Sequence, residues 1–180
     1  MPHKIEPAPS GRAKCRSCKK TIEKGSLRLG ASVPNAFGDG ESFHWFHLVC
    51  GAERRSAEFL EALADPESTQ PEPAALEELK ALAAIGVEHP RWTRPAHVER
   101  ATTGRAKCRH CREAIAAGSL RIALEFVEDG MINPSGFLHP TCALAYLGST
   151  EHILERMIRS SELNDEEVAE LQGALSSSSV

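Results

Sequence analysis

Aromatic residues and long apolar runs are scarce in this sequence. Its 180 residues include two Trp, one Tyr and six Phe, which together make 5% of the chain. So few large apolar side chains predict thin cores that need a further source of folding free energy. The longest apolar run, residues 81–87, is much shorter than the roughly 20 residues that span a bilayer. Because residues 1–10 also lack the apolar segment of a signal peptide, we expect a soluble intracellular protein without a membrane partner.

Sequence patterns of catalytic sites are also missing. The chain contains no Gly-rich phosphate loop, no pattern typical of a nucleophile with its base, and no evident pair of catalytic carboxylates. We therefore expect a protein that is not an enzyme and that has no small-molecule substrate.

Cysteine occurs only in two closely similar patterns. All six cysteines belong to two copies of one pattern, a Cys-x₂-Cys pair followed after 28 or 27 residues by His-x₂-Cys. Disulfides would leave one of every three cysteines unpaired, and a redox dithiol would not need the nearby His-x₂-Cys. Thiolates and imidazole at this spacing are typical of closed, tetrahedral zinc sites, whereas catalytic zinc keeps an open position. The sequence therefore predicts two structural Zn²⁺ ions. Their ligands are Cys15, Cys18, His47 and Cys50, and Cys108, Cys111, His139 and Cys142.

The two cysteine patterns are parts of an internal repeat. Residues 5–15 resemble residues 98–108, and the sequence Gly-Ser-Leu-Arg follows in both copies. The offset is 93 residues up to these arginines and 92 at the His-x₂-Cys, so the second loop is one residue shorter. The pairs His89-Pro90 and Arg94-Pro95 disfavour helix between the copies. We predict two domains, residues 1–93 and 94–180, each containing one zinc module.

Within each copy, strands are predicted to come before helices. Residues 27–33 and 119–127 favour strands, and residues 43–46 predict a strand that enters the first His-x₂-Cys. Turn-forming residues at 38–40 and 133–136 predict turns.

The second part of each copy is predicted to be helical, because apolar residues recur every three or four positions. The predicted helices cover residues 58–63, 76–85, 153–158 and 168–175. Asn164 with Glu167 predicts a capping box, and Ser176–Val180 is expected to be a disordered tail. The predicted fold class is α+β, with small zinc-stabilised modules in tandem, each containing a short antiparallel sheet and following helices.

The pattern around the first zinc site is long enough to resemble a known family. It contains Gly-Arg-Ala-x-Cys at 11–15, Lys-Gly-Ser-Leu-Arg at 24–28, Phe-Gly-Asp-Gly at 37–40 and His-Trp-Phe-His at 44–47. These residues and the 28-residue gap resemble the zinc fingers of the poly(ADP-ribose) polymerase type, which also occur in a eukaryotic DNA ligase and in a nick-sensing phosphatase. The second copy resembles the second finger of that family, although Leu138 stands where a Tyr or Phe is usual.

The resemblance implies a function as well as a fold. Fingers of this family recognise DNA strand breaks by shape, since basic side chains hold phosphates while an apolar loop caps the exposed base pair. The partner implied is DNA, preferably nicked or broken duplex, in the nucleus of a eukaryote or the nucleoid of a bacterium. The DNA-binding residues implied here are Arg12, Lys14, Arg28, Phe37, Arg105, Lys107, Arg121, Met131 and Ile132.

A protein-interaction scaffold without direct DNA binding is the alternative interpretation. Residues 1–50 and 94–142, which contain the zinc ligands, carry fifteen Lys and Arg against nine acidic residues. Residues 51–93 and 143–180, which contain the predicted helices, carry six Lys and Arg against sixteen acidic residues. The net charge of the whole chain is −4. A polyanion would meet the basic zinc modules and be repelled by the acidic helices, whereas a protein partner could use those helices.

Overall fold

A computed structural model describes residues 2–35, 38, 40–128 and 130–178. Apart from residues 129–131, the chain divides into two compact units, Met1–Glu88 and His89–Val180. Each unit contains one three-stranded sheet, a set of helices and one Cys/His cluster. This arrangement confirms the predicted α+β class, while the domain limits 1–93 and 94–180 stay a prediction. Over the described ranges, no helix combines the length and hydropathy that crossing a bilayer requires.

The first unit is built on an antiparallel sheet of three consecutive strands. Strands β1 (Lys4–Pro7), β2 (Leu27–Pro34) and β3 (Glu41–His47) lie in that order. Leu29 is paired with Ile5 on one side and with Phe46 on the other, and all three side chains are almost fully buried. These residues therefore form the face of the sheet that the helices cover.

Three helices follow in the first unit: α1 (Leu48–Arg54), α2 (Ser56–Ala64) and α3 (Pro73–Glu88). Helix α1 packs so closely on β2 that a Cβ atom at Gly51 would lie 2.7 Å from the Leu29 side chain. Phe59 of α2, which packs on the sheet, and Ala83 of α3, which packs on α1 and α2, are fully buried. The predictions for α2 and α3 are confirmed, whereas α1 was not predicted.

The second unit repeats the sheet with β4 (Pro95–Arg100), β5 (Leu120–Glu128) and β6 (Met131–Leu138), after a short 3₁₀ helix at Pro90–Thr93. The turn predicted at residues 133–136 is wrong, because these residues lie within β6. Strand β6 is at the edge of its sheet, where a proline such as Pro134 is tolerated.

A second 3₁₀ helix (Pro140–Cys142) and three α-helices complete this unit: α4 (Ala143–Leu147), α5 (Ile153–Ser160) and α6 (Asp165–Ser177). The capping box at α6 is confirmed, since the Glu167 amide donates to the Asn164 side chain at 2.9 Å and the Glu167 carboxylate accepts from the Asn164 amide. Helix α6 includes Ser176 and Ser177, so the tail expected from Ser176 begins inside a helix.

A buried arginine links the first 3₁₀ helix to the core of the second unit. Arg156 of α5 is 1% exposed and its Nη2 donates to the carbonyl oxygens of Trp92 (2.8 Å) and Pro95 (3.0 Å). The Trp92 indole is fully buried and donates to the carbonyl oxygen of Glu151 at 2.8 Å. The segment just before β4 is therefore held rigidly on the core.

Candidate metal centres and nucleic-acid interface

The first Cys/His cluster joins a tight turn to the end of a strand and the start of a helix. Cys15 begins a turn in which the Lys19 amide donates to the Cys15 carbonyl oxygen at 3.0 Å, with Lys19 in the left-handed region at φ 63°. His47 ends β3, and Cys50 lies in the first turn of α1. One ligand atom from each of Cys15, Cys18, His47 and Cys50 lies within 4.8 Å of all the others.

The second cluster repeats this geometry. The Arg112 amide donates to the Cys108 carbonyl oxygen at 3.1 Å, and Arg112 has φ 68°. Nδ1 of His139 lies 3.4 Å from the Cys111 sulfur, against 3.3 Å between the corresponding atoms of the first cluster. The four ligand atoms of Cys108, Cys111, His139 and Cys142 are again within 4.8 Å of one another.

Both clusters fit a tetrahedral zinc ion. Zinc–sulfur bonds of about 2.3 Å require sulfur atoms roughly 3.8 Å apart, within the separation found in each cluster. In the first cluster Nε2 of His47 lies 3.1 Å from the Thr21 carbonyl oxygen, so Nε2 can donate there and leave Nδ1 as the metal ligand. The predicted ligand sets are therefore confirmed as two Cys₃His clusters that suit two structural zinc ions.

Two of the three thiols of the first cluster favour thiolate at neutral pH. A hydrogen bond from the Cys50 thiol lowers the pKa of Cys18 to about 4 and that of Cys15 to about 6. Sharing its single proton with the Cys15 and Cys18 sulfurs raises the pKa of Cys50, which keeps that proton. Because a zinc ligand must be a thiolate, metal binding at this cluster is expected to release a proton from Cys50.

The second cluster shows the same division with smaller shifts. Burial opposes ionisation of Cys108, but the backbone amides of His139 and Cys111 lower the pKa of Cys108 to about 7. Burial raises the pKa of Cys142 to about 12. The clusters also differ in exposure, since Cys18 and Cys50 are buried, whereas Cys111 is exposed and Cys142 is half-buried.

Four of the basic residues predicted to bind DNA lie on the surface. These exposed residues are Arg12, Lys14, Arg105 and Lys107. Over the described residues, none of the four forms an ion pair with a carboxylate. Met131 is 66% exposed and Ile132 is half-buried at the start of β6, whereas Phe37 falls outside the described residues.

The two remaining predicted arginines are buried in matching stacks. In the first unit the guanidinium carbon of Arg28 lies 3.4 Å from the centre of the Trp45 ring, and Nη2 donates to Glu6 at 2.6 Å. Burial opposes ionisation of Glu6, but hydrogen bonds from Lys4 and Arg28 lower the pKa of Glu6 below its ordinary value of 4.5. Arg28 in β2 thus links β1 and β3. Its pairing partner in β3 is the zinc ligand His47.

The second unit has the same stack with different aromatic chemistry. The guanidinium carbon of Arg121 lies 3.6 Å from the centre of the Phe137 ring, and Nε donates to Glu99 at 2.9 Å. Burial again opposes ionisation of Glu99, and hydrogen bonds from Arg121 and His97 lower its pKa. A guanidinium between an aromatic ring and a carboxylate is therefore a shared structural element of both units.

Sequence reasoning did not place Arg16, Phe43 or Trp45 at the predicted interface, although they lie beside Lys14. A cavity of about 420 Å³ in the first unit is lined by Lys14, Arg16, Lys19, Phe43 and Trp45. The two aromatic rings are 5.4 Å apart. The alternation of Phe43 and Trp45 along β3 was a usable signal, because alternate residues of a strand share one face.

Comparison with known proteins decides the family. Residues 6–85 match the profile of the family described as "Poly(ADP-ribose) polymerase and DNA-Ligase Zn-finger region". The first zinc module of this chain belongs to the PARP-type zinc-finger family. It is 32% identical over 158 residues to poly [ADP-ribose] polymerase 1 of Gallus gallus, covering 78% of this chain and 15% of that protein.

Other relatives carry the same name. The poly [ADP-ribose] polymerase of Sarcophaga peregrina is 29% identical over 136 residues, covering 68% of this chain and 14% of that protein. Poly [ADP-ribose] polymerase 1 of Caenorhabditis elegans is 44% identical over 50 residues, covering 28% of this chain and 5% of that protein. This PARP-type chain thus spans about 15% of the length of the first two curated relatives.

Proposed function

We propose that this PARP-type zinc-finger protein binds DNA strand breaks, nicks or ends, by shape. Zinc holds each finger folded, exposed basic side chains hold backbone phosphates, and apolar loop residues cap the base pair exposed at the break. The family resemblance of the sequence implies this function, and the surface of the first unit supports it.

One observation carries the proposal: three cations surround an aromatic cavity without compensating carboxylates. Lys14, Arg16 and Lys19 line this cavity with Phe43 and Trp45, and among the described residues no acidic side chain lines it. In the described part of the chain, none of the three cations has an ion-pair partner. A basic surface with aromatic rings suits a nucleic-acid strand, since phosphates meet the cations while sugars or bases meet the rings.

The phosphate contacts are tested by salt dependence. We expect the Lys14→Ala/Arg16→Ala variant to bind nicked duplex more weakly and to lower the slope of log K against log salt by about two, because each lost phosphate contact removes about 0.9. Lys80→Ala, which removes an exposed lysine paired with Glu77, is the matched control and should change neither quantity. An unchanged slope in the double variant would remove this surface from the DNA interface.

Break selectivity needs a second test, because phosphates are present on every duplex. We expect Phe37→Ala and Met131→Ala each to cost about 1–3 kcal/mol on nicked or blunt-ended DNA and much less on a closed circular duplex. The salt slope should not change, since no charge is lost. Equal losses on nicked and closed DNA would leave a general DNA-binding function, and no measurable affinity for any DNA would favour the protein-interaction scaffold.

A further inference from the structure

Four arginines of the second unit line one cavity. Its volume is about 410 Å³. Arg91 lies in the short 3₁₀ helix before β4, and Arg94 lies at the C-terminal end of that helix. Arg109 and Arg112 lie in the turn that contains the zinc ligands Cys108 and Cys111. The remaining lining residues are His110, Ser135 and Tyr146. Within the part of the chain that the structure describes, no acidic side chain lines this cavity.

Neutral groups hold three of these guanidinium groups in place. Nη1 of Arg94 donates to the Tyr146 hydroxyl at 3.1 Å, and the Arg91 guanidinium lies 4.9 Å from the centre of the same ring. Nε of Arg109 donates to the Ser135 carbonyl oxygen at 2.7 Å. These contacts order the side chains without neutralising their charge, and each guanidinium keeps further N–H groups available for an acceptor.

Other arginines of the same unit are treated differently. Arg100 binds two carboxylates, those of Glu167 (2.9 Å) and Glu170 (3.0 Å), and Arg121 binds Glu99. Within the described residues, none of the four cavity arginines forms an ion pair. Four uncompensated positive charges around one cavity make a strong attractive site for an anion.

Both walls of the cavity are attached to rigid parts of the fold. Arg91 and Arg94 flank the buried Trp92, whose carbonyl oxygen accepts from Arg156. Arg112 has φ 68° in the turn that brings Cys108 and Cys111 to the metal. Because the positions of the arginines are fixed by the core and by the zinc cluster, little further ordering is needed when an anion binds.

We propose that this four-arginine cavity is a binding site for a dianionic phosphate, such as a phosphate monoester. A monoester carries a charge of about −1.5 to −2 at pH 7 and three terminal oxygens. Those oxygens can accept pairs of hydrogen bonds from guanidinium groups that approach from two walls. An internal phosphodiester of DNA has only one negative charge, and a carboxylate has only two oxygens, so both match the four guanidinium groups less well.

Two sources could supply this phosphate: a phosphorylated strand end at a break, or a small phosphorylated molecule. The first source rests on the proposed function, and the second does not. The first unit differs at this surface, because its cavity beside the zinc turn contains Phe43 and Trp45 in addition to its cations. The two fingers would therefore recognise different features of the same break, an unstacked strand and a terminal phosphate.

The phosphate site is tested directly with inorganic phosphate and the zinc-loaded full chain. In calorimetry at constant ionic strength we expect saturable phosphate binding that is lost in Arg91→Ala/Arg94→Ala. The control Lys80→Ala/Arg100→Ala also removes two cations, but both are ion-paired outside the cavity, and it should bind phosphate normally. Absence of saturable binding to the wild type, equal binding by both variants, or stronger binding of a glutamate-rich peptide would overturn the proposal.

The source is tested with two nicked duplexes that differ only in a 5′-phosphate or a 5′-hydroxyl at the nick. If the strand end is the ligand, the wild type should prefer the phosphorylated nick by about tenfold, as expected for charged hydrogen bonds. The preference should disappear in Arg91→Ala/Arg94→Ala and remain in Lys80→Ala/Arg100→Ala. Phosphate binding in calorimetry without this preference would support the site, with a small phosphorylated molecule as its ligand. The same conclusion holds if the protein binds no DNA at all. In that case only the proposed function fails.

Discussion

The two zinc clusters are expected to release their metal at different rates, with the second cluster losing its ion first. Cys18 is 8% exposed and Cys50 is fully buried, whereas Cys111 is exposed and Cys142 is half-buried. In addition, Nε2 of His47 lies 3.1 Å from the Thr21 carbonyl oxygen, and no such partner of His139 Nε2 exists within the described residues.

The size of the difference follows from these contacts. Removing an outer hydrogen bond from a metal-ligating histidine typically costs about 10- to 100-fold in metal affinity. Exposure of two thiolates also gives a chelator direct access to the metal. We therefore expect zinc to leave the second cluster at least about tenfold faster than the first.

A chromogenic zinc indicator with excess chelator measures this directly. Two phases are expected, each corresponding to one zinc per chain, and variants assign them. Cys111→Ser should abolish the fast phase and leave the slow one, whereas Cys18→Ser should abolish the slow phase. One phase containing both ions, or loss of the slow phase in Cys111→Ser, would refute the reasoning.

Three further predictions concern the arginine stacks. Arg28→Ala and Arg121→Ala should each lower the melting temperature, because a carboxylate loses its cation; unchanged melting at normal zinc content would contradict this structural role. Because the pKa of Glu6 is lowered, its ionised form stabilises the fold above pH 4.5, and this contribution is lost as the pH falls further. The melting temperature of Glu6→Gln should therefore depend less on pH below 4.5 than that of the wild type. Gly30→Ala would place a Cβ atom 2.7 Å from the Trp45 ring, so we expect a lower melting temperature and an altered near-ultraviolet circular dichroism spectrum, and wild-type values of both would argue against this packing.

The zinc ligands could be predicted from sequence because their chemistry restricts both residue type and spacing. Helices α2, α3, α5 and α6 were also predictable, since their apolar residues follow the helical period. Helix α1 was not, because its seven residues begin directly after His47 and its position is fixed by the ligand Cys50 and by contact with Leu29. Short elements held by a metal and by tertiary packing leave little periodic signal.

The arginine stacks and the four-arginine cavity show two different limits of sequence reasoning. Glu6 precedes Arg28 by the same 22 residues that separate Glu99 from Arg121, so the repeated spacing was a signal that these pairs are structural. The cavity had no such signal. The sequence predicts that Arg91 and Arg94 belong to a proline-containing connection between the two repeats. Only the fold brings them beside the turn that contains Cys108 and Cys111.

A comparison of the two units separates what holds a finger together from what distinguishes one finger from the other. The Cys₃His cluster and the carboxylate–arginine–aromatic stack occur in both units, even though the aromatic residue changes from Trp45 to Phe137. The differences lie on the surface beside each zinc turn, where one unit has Phe43 with lysines and the other has arginines with Tyr146. Because the stack and the zinc cluster fix the backbone of the turn in both, such exposed residues can change without loss of the fold. The two fingers are therefore free to bind different groups, which is the physical basis for proposing a terminal-phosphate site in the second finger and not in the first.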